Sequence, residues 1–222
     1  MLSNVYFITG IDTDIGKSFA TGLMARFLCQ QGRSVVTQKC VQTGHIGQIS
    51  EDILTHRRLM EIEPLPEDFK GETCPYKFSF PASPYLSAKL ENKIIDPKKI
   101  TSATQQLLKR FDFVLLEGAG GLLVPLTAEE LMIDYVQRCG YPLVLVTSGR
   151  LGSINHTLLT LEAAQHRQIP VAGIVYNHYP SVHEILERES LDLFRRYCTS
   201  FVEMPVVHFD NIPDINFSLF YS

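Results

Sequence analysis

The stretch that decides the fold is VYFITGIDTDIGKS, residues 5–18. Residues 5–8 form a short apolar run with the β-branched and aromatic content of a buried strand. The run ends at Gly10, crosses a short loop and reaches Gly16-Lys17-Ser18 at the predicted start of a helix. This layout predicts a phosphate-binding loop. In such a loop, backbone N–H groups and the lysine bind phosphate, and the serine hydroxyl binds Mg²⁺.

The spacing within this loop departs from the usual pattern G-x-x-x-x-G-K-[ST]. Ile11 stands where the first glycine is expected, and Gly10 lies one residue further upstream. The alternative interpretation is a strand-to-helix turn that contains Gly-Lys-Ser by coincidence. The strand, loop and helix occur in the order that phosphate binding requires, which favours the phosphate-binding interpretation.

The size and charge of the chain favour a single α/β domain over residues 1–222, with a sizeable buried core. The hydrophobic content of 45% and the charged content of 20% are typical of a soluble globular protein. A formal net charge of −4, without a run of lysine or arginine, argues against a nucleic-acid partner and against binding to a membrane surface. No apolar stretch approaches the length of a membrane span.

The cysteines favour a reducing, cytoplasmic location. Their number, 5, is odd, and none of them forms a C-x-x-C pair, which argues against both a zinc site and a disulfide framework. The N-terminus enters the first predicted strand almost at once, so we expect no secretory signal.

Strand and helix patterns alternate along the rest of the chain. Further strands are predicted at residues 34–38, 111–116, 143–147, 171–176 and 205–209. Helices are predicted at residues 16–31, from 51, at 83–90, 97–110, 127–139, 153–168 and 181–198, and residues 61–80 read mostly as loop. The predicted N-caps include Asp96, before a proline, and the capping boxes that begin at Thr127 and Ser181. This alternation predicts a mostly parallel, doubly wound sheet with helices on both faces.

Candidate functional residues fall at the carboxyl ends of the predicted strands, where open α/β sheets bind their ligands. Glu117 ends an apolar strand and is followed by glycines, which favours a metal or substrate ligand over a partner for a helix N-terminus. Lys39 follows the second strand, although most lysines are solvated surface residues. Asp52 lies in the first turn of a predicted helix, where an acid is as readily a partner of the helix dipole. The histidines, His45 and His56 among them, have no metal-ligand spacing, and we predict no special role for them.

Several ordered motifs resemble those of the dethiobiotin synthetase family, and the resemblance spans nearly the whole chain. The loop at residues 10–18 is similar to that family's G-x-D-T-x-[VI]-G-K-[ST], which accounts for the extra residue in the loop. The other matching segments are KCVQTG at residues 39–44, PASP at 81–84, EGAGG at 117–121, LGSINH at 151–156 and Asn177 at a strand end.

The resemblance implies a Mg²⁺-dependent reaction of ATP, CO₂ and 7,8-diaminononanoate that yields dethiobiotin, ADP and phosphate. An amine of the substrate becomes a carbamate, the carbamate attacks the γ-phosphate to form a carbamic–phosphoric mixed anhydride, and the second amine closes the cyclic urea. The enzyme must hold two anions together and neutralise the charge that develops between them.

The resemblance also implies roles for individual residues. Lys17 and Lys39 would be catalytic, and Ser18, Asp52 and Glu117 would hold Mg²⁺. The implied ATP-binding residues are Asp14, Ile15, Gly16, Lys17, Ser18, Phe19, Asp52, Glu117, Gly118, Ala119, Gly120, Asn177, His178, Pro205, Val206 and Val207. The implied substrate-binding residues are Thr13, Lys39, Thr43, Gly152, Ser153 and Asn155, the last three acting across the interface of a homodimer.

The chain departs from the family pattern at three places near the predicted site, one of which is Asp14, where glutamate is common. Cys40 replaces the usual proline after the lysine, and the glycine expected before Pro205 is absent. Two other classes share the phosphate-binding loop. An amidoligase would normally carry a glutamine-hydrolysing domain, for which 222 residues leave no room. A partitioning ATPase would carry a second lysine early in the loop, where this chain has Ile11-Asp12.

Overall fold

Six parallel strands form one sheet in the computed structural model, which describes residues 4–221. The strands are β1 (Val5–Gly10), β2 (Val35–Lys39), β3 (Phe113–Glu117), β4 (Leu143–Ser148), β5 (Val171–Asn177) and β6 (Phe201–Met204). Their order across the sheet is β2-β3-β1-β4-β5-β6, and every neighbouring pair is parallel. The predicted parallel α/β sheet is confirmed.

Helices cover both faces of the sheet. They are α1 (Lys17–Gln30), α2 (Glu51–Leu59), α3 (Pro66–Phe69), α4 (Pro84–Leu90), α5 (Pro97–Leu107), α6 (Met132–Cys139), α7 (Ser153–His166) and α8 (Glu184–Tyr197). Side chains along a strand alternate between the two faces, so Val5 and Phe7 enter one core while Tyr6 and Ile8 enter the other. The first core contains residues of α5, α6 and α7, and the second contains residues of α1 and α2.

Two predicted helix starts are wrong. The Thr127 hydroxyl accepts from the backbone N–H groups of Glu129 and Glu130, but it closes a turn, and α6 begins at Met132. At that start the Asp134 carboxylate accepts from the N–H of Leu131. The Thr127 hydroxyl and the Asp134 carboxylate each accept from nearby backbone N–H groups. A capping pattern in the sequence does not show whether those N–H groups belong to a turn or to the start of a helix.

The second wrong start is that of α8, which begins at Glu184 with His183 as its N-cap instead of Ser181. The Nδ1 atom of His183 accepts from the N–H of Ile185 at 3.3 Å. By contrast, the start of α2 and the cap of α5 lie where the sequence indicates. Ser50 and Asp96 accept from N–H groups of the first turns of these two helices.

The last strand lies earlier than predicted. It spans Phe201–Met204 and pairs with β5, whereas residues 205–209 were the predicted strand. Pro205 follows directly and has no N–H to donate to a sheet, so the strand ends before it. Residues 61–80, predicted to be mostly loop, also contain the short helix α3.

The C-terminal segment after β6, residues 205–221, packs back along the sheet. Its aromatic rings meet those of α1 and β1, with ring centroids 6.1 Å apart for Phe27 and Phe217 and 4.9 Å apart for Tyr6 and Tyr221. Phe217 is wholly buried. This segment therefore completes the second core.

Candidate active site

The phosphate-binding loop connects β1 to α1 and is held in shape by its backbone conformation. Gly16, the residue before α1, has a φ of 97°, which is the left-handed region that glycine adopts without strain. A side chain at this position would place its Cβ 2.4 Å from Nδ2 of Asn177. The same amide nitrogen donates to the carbonyl of Ile15 at 2.9 Å, and Lys17 Nζ donates to the carbonyl of Asp12 at 2.7 Å.

Lys39 lies beside Glu117 because the strands that they end, β2 and β3, are parallel neighbours in register. The Nζ atom of Lys39 lies 2.7 Å from Glu117 Oε1, 2.8 Å from the carbonyl oxygen of Gly118 and 2.5 Å from Asp52 Oδ2. The ammonium is thus surrounded by oxygen atoms, and 5% of the residue surface is exposed.

Ser18 brings the phosphate-binding loop to the same two carboxylates. Its hydroxyl oxygen lies 2.9 Å from Asp52 Oδ1 and 3.0 Å from Glu117 Oε1. Asp52 reaches this point from the first turn of α2, so the acid at this helix N-terminus also contacts Ser18 and Lys39. One hydroxyl and two carboxylates are the hard oxygen donors that Mg²⁺ prefers.

These three side chains would form only part of a magnesium shell. Among residues 4–221, no group of three or more histidine, cysteine, aspartate or glutamate side chains could hold a metal. Mg²⁺ usually keeps several waters and binds through one or two carboxylates together with substrate phosphates. The donor set therefore suits a metal that arrives with a phosphate ligand.

Burial and neighbouring charges shift the pKa values of the central groups. Burial and the charge of Lys39 lower the pKa of Lys17 to about 8. Burial alone would lower the pKa of Lys39, but Glu117 and Asp52 hold it well above its ordinary value. Burial likewise opposes ionisation of Glu117, yet Lys39 and His56 hold the pKa of that carboxyl far below its usual range. The Lys39–Glu117 pair is therefore fully ionised at neutral pH.

His56 belongs to this cluster, although its spacing in the sequence indicates no role. It lies on α2 with no exposed surface, and its Nε2 atom is 2.7 Å from Glu117 Oε2. The contact joins residues 61 positions apart. A histidine one helical turn after Asp52 is the only local signal that could have indicated it.

A cavity of about 720 Å³ opens over these groups. The predicted site residues that line it are Thr13, Asp14, Gly16, Lys17, Ser18, Phe19, Lys39, Thr43, Asp52, Glu117, Ala119, Gly120, Asn177, Val206 and Val207. Seven further lining residues were missed by sequence reasoning: Val41, Gln42, Glu51, Thr55, Tyr179, Met204 and His208. Gln42 is the most buried polar side chain of this second set, and its Oε1 accepts from the Ser50 hydroxyl at 2.5 Å.

Four of the predicted nucleotide-binding residues are not part of the cavity wall. They are Ile15, Gly118, His178 and Pro205. The side chain of Ile15 is buried in the second core, and the Gly118 carbonyl accepts from Lys39. The His178 ring lies between two carboxylates, 2.5 Å from Glu187 and 3.1 Å from Glu203.

The three predicted substrate residues of the 151–156 motif also lie outside the cavity wall. Gly152 precedes α7 with a φ of 88°, Ser153 is buried beside Ser148, and Asn155 is exposed. Next to them, Leu151 has 85% of its surface exposed. A role across a subunit interface stays a prediction for this segment.

The family model described as "AAA domain" matches residues 4–208. An ATP-dependent dethiobiotin synthetase BioD 2 of Pasteurella multocida is 52% identical over 196 residues, which cover 88% of this chain and 92% of that protein. An ATP-dependent dethiobiotin synthetase BioD of Chlorobaculum tepidum is 51% identical over 211 residues, 93% of this chain and 87% of that protein. An ATP-dependent dethiobiotin synthetase BioD 2 of Haemophilus influenzae is 50% identical over 188 residues, which cover 85% of this chain and 98% of that protein.

Among solved structures, a ParA family ATPase from Chlorobium tepidum has a similar fold. The TM-score is 0.55 with 14% sequence identity, over 92% of this chain and 85% of that one. This likeness concerns the fold alone.

No helix within residues 4–221 combines the length and apolar character that crossing a membrane requires.

Proposed function

This chain belongs to the ATP-dependent dethiobiotin synthetase family, and we propose that the cavity above Lys39, Ser18 and Glu117 is where ATP, Mg²⁺ and a carbamate meet. The chain is an ATP-dependent ligase that converts 7,8-diaminononanoate and CO₂ to dethiobiotin in biotin biosynthesis. The observation that carries the proposed site is the convergence of Lys17, Lys39 and the Ser18–Asp52–Glu117 oxygen cluster at one edge of the sheet.

The proposed chemistry has three steps. The lone pair of one substrate amine attacks CO₂, and loss of a proton gives a carbamate. A carbamate oxygen attacks the γ-phosphorus of ATP, the bond to the bridging oxygen breaks, and ADP leaves with a carbamic–phosphoric mixed anhydride formed. The second amine then attacks the carbamate carbon, closes the ring and expels phosphate with loss of a further proton.

The two lysines act as electrostatic catalysts in the second step. Two anions must approach each other, and negative charge moves onto the leaving ADP as the new bond forms. Lys17, at the helix N-terminus, lies where it can neutralise phosphate oxygens, and Lys39, fixed by β2 and its carboxylate partners, lines the same cavity. Preorganised cations of this kind act mainly on the transition state.

Ser18, Asp52 and Glu117 would hold Mg²⁺ in this scheme. The ion would neutralise the phosphates and favour the departure of ADP. The oxygen donor set and the distances of 2.9 and 3.0 Å between the Ser18 hydroxyl and the two carboxylates support this assignment.

Asn177, Val206 and Val207 also line the cavity, and we assign to them the binding of adenine. Asn177 lies at the end of β5 beside the phosphate-binding loop, and the two valines belong to the C-terminal segment. His178 and Pro205 complete the proposed set as neighbours of these residues. Thr13 and Thr43, which also line the cavity, are assigned to the diamine and its carbamate.

We further propose a homodimer in the cytoplasm. The exposed segment around Leu151, with Gly152, Ser153 and Asn155, would reach the substrate tail in the partner subunit. The cysteines within the described residues are all unpaired, which is typical of a reducing compartment.

The experiment that tests the function is release of ADP with Mg²⁺, ATP and bicarbonate, with and without the diamine. We expect turnover that requires the diamine, together with formation of dethiobiotin detected by mass spectrometry. ADP release at the same rate without the diamine would instead support a partitioning-type ATPase, the class whose fold this chain shares.

A further inference from the structure

We infer that His56 is a positioning residue that holds the Glu117 carboxylate in the orientation it presents to Ser18 and Lys39. The inference rests on the proposed magnesium site. It concerns a residue that is absent from the family motifs in this sequence and that does not line the cavity.

The two oxygens of Glu117 have separate partners. Oε1 lies 3.0 Å from the Ser18 hydroxyl and 2.7 Å from Lys39 Nζ, on the side of the proposed metal. Oε2 lies 2.7 Å from His56 Nε2, within the core. His56 thus sets which oxygen of Glu117 faces the site.

Helix α2 carries both Asp52, one of the two carboxylates, and His56, which contacts the other carboxylate. Asp52 and His56 are four residues apart and therefore lie on the same face of the helix. Asp52 contacts Ser18 and Lys39, and one turn later His56 contacts Glu117. One helix therefore sets the relative position of both carboxylates.

The surroundings of His56 indicate that a histidine is needed at this position for its hydrogen bond to Glu117. The carboxylate is an acceptor, so Nε2 carries a hydrogen and donates it. The other ring nitrogen, Nδ1, is buried and has no hydrogen-bond partner in the part of the chain that the structure describes. Packing alone would be satisfied by an apolar side chain, which would leave no polar atom unpartnered.

A purely structural role is the alternative. Helices α1 and α2 cross closely, and a Cβ on Gly22 would lie 3.2 Å from the Cα of His56. A substitution can therefore disturb packing, and the test must separate metal binding from stability.

The test compares His56→Gln with His56→Leu. A glutamine amide reaches the position of Nε2 and can donate to Glu117, whereas leucine fills similar space without a donor. The affinity for Mn²⁺ is measured by electron paramagnetic resonance in the presence of a non-hydrolysable ATP analogue, with thermal unfolding of each variant alongside.

We expect the Mn²⁺ affinity of His56→Leu to fall by about 10- to 100-fold, the effect typical of losing a residue that orients a metal ligand. His56→Gln should recover most of this loss. The exposed residue His166 provides the control, and His166→Leu should leave the affinity unchanged.

A Mn²⁺ affinity within twofold of wild type in His56→Leu would overturn the inference. So would equal losses in folded His56→Leu and His56→Gln. If the leucine variant does not fold, His56→Asn replaces it, because its shorter amide cannot reach Glu117. If His56→Asn binds Mn²⁺ tenfold more weakly than His56→Gln, the result supports the inference. Equal Mn²⁺ affinities of these two variants overturn it.

The wild-type assay keeps the two proposals separate. Diamine-dependent ADP release combined with an unchanged His56→Leu affinity would overturn the role of His56 and leave the function standing. Diamine-independent ADP release combined with the expected losses of Mn²⁺ affinity would overturn the function and support His56.

Discussion

Lys39 is enclosed by two carboxylates and a carbonyl oxygen, so its removal affects both chemistry and fold. We predict that Lys39→Met lowers kcat for ADP release by about 100- to 1,000-fold, the cost of one preorganised charge at a transition state. Nucleotide affinity should stay close to wild type because Lys17 and the loop backbone remain. Titration calorimetry with ADP and a steady-state assay check the two parts.

The same substitution should lower stability, because it leaves Glu117 buried without its main cationic partner. Lys109, an exposed lysine in the turn after α5, is the control, and Lys109→Met should alter neither kcat nor the melting temperature. Near-normal turnover in a folded Lys39→Met variant would remove Lys39 from the mechanism.

At this scale the sequence predicts which side chains meet where the residues belong to ordered motifs. Lys39, Ser18 and Glu117 converge as expected, because the ends of neighbouring parallel strands and the start of the first helix share one edge. His56 could not be predicted in this way. Its role depends on a contact with a residue 61 positions away, and a lone buried histidine has no characteristic spacing.

Helix α2 is held to the sheet and to helix α3 by Arg57, the neighbour of His56. Its guanidinium makes two hydrogen bonds of 2.8 Å to Asp68 and one to the Thr37 hydroxyl on β2. Asp68 also accepts from Thr73, whose carbonyl accepts from the N–H of Lys39. These contacts link the helix that carries Asp52 to the strand that carries Lys39.

We predict that Asp68→Asn lowers the free energy of unfolding by about 3–5 kcal/mol at pH 7, because it leaves Arg57 buried without its charge partner. Burial alone would raise the pKa of Asp68, but the hydrogen bonds and charge of Arg57 hold it below the ordinary 3.8. The stabilisation is complete above that ordinary value and is lost as the pH falls through the lowered pKa of the folded state.

Urea unfolding of both proteins from pH 7 to pH 2 checks this prediction. The difference in unfolding free energy between wild type and Asp68→Asn should be constant at higher pH and shrink in the acidic range. A difference that stays constant over the whole range would show that the charge of Asp68 does not carry the effect.

Helix α5 begins where its N-cap and proline predict. The Asp96 carboxylate accepts from the N–H of Lys98 at 2.9 Å. We predict that Asp96→Ala lowers the unfolding free energy by about 1 kcal/mol, the usual value of an N-cap. Ser102→Ala, on the exposed side of the same helix, should change it by less than about 0.5 kcal/mol in the same denaturation experiment.

The start of a helix is therefore predictable where one capping residue marks it, and it is not predictable where several candidate caps lie close together. Thr127 and Ser181 each stand three residues before a glutamate, but the helices begin further along at Met132 and Glu184. Their caps, Leu131 with Asp134 and the ring of His183, depend on how the chain enters the helix. Local patterns do not specify that path.

The whole molecule includes a C-terminal segment that the sequence does not explain. Residues 209–221 have little periodicity, yet Phe217 and Phe220 lie in the core against α1 and β5. The parallel arrangement of the strands, in contrast, follows from the alternation of strands and helices along the chain. A single domain over residues 1–222 stays a prediction, which the packing of Tyr221 against Tyr6 of β1 supports.

We predict that Phe217→Ala lowers the unfolding free energy by about 3–5 kcal/mol, as for other fully buried phenylalanines. Ser218→Ala, at the exposed neighbouring position, is the matched control and should have little effect. Thermal and urea unfolding of the two variants check this. Equal stability of both would mean that the C-terminal segment does not contribute to the core.

The position of β1 in the middle of the sheet has a consequence for biosynthesis. Strand β1 lies between β3 and β4, which are translated only after β2 and helices α1 to α5. Asn177, which contacts the loop after β1, emerges later still. A nascent chain therefore carries its nucleotide-binding segment before the strands that shape it have been made, and ATP can assist folding only once those strands have emerged.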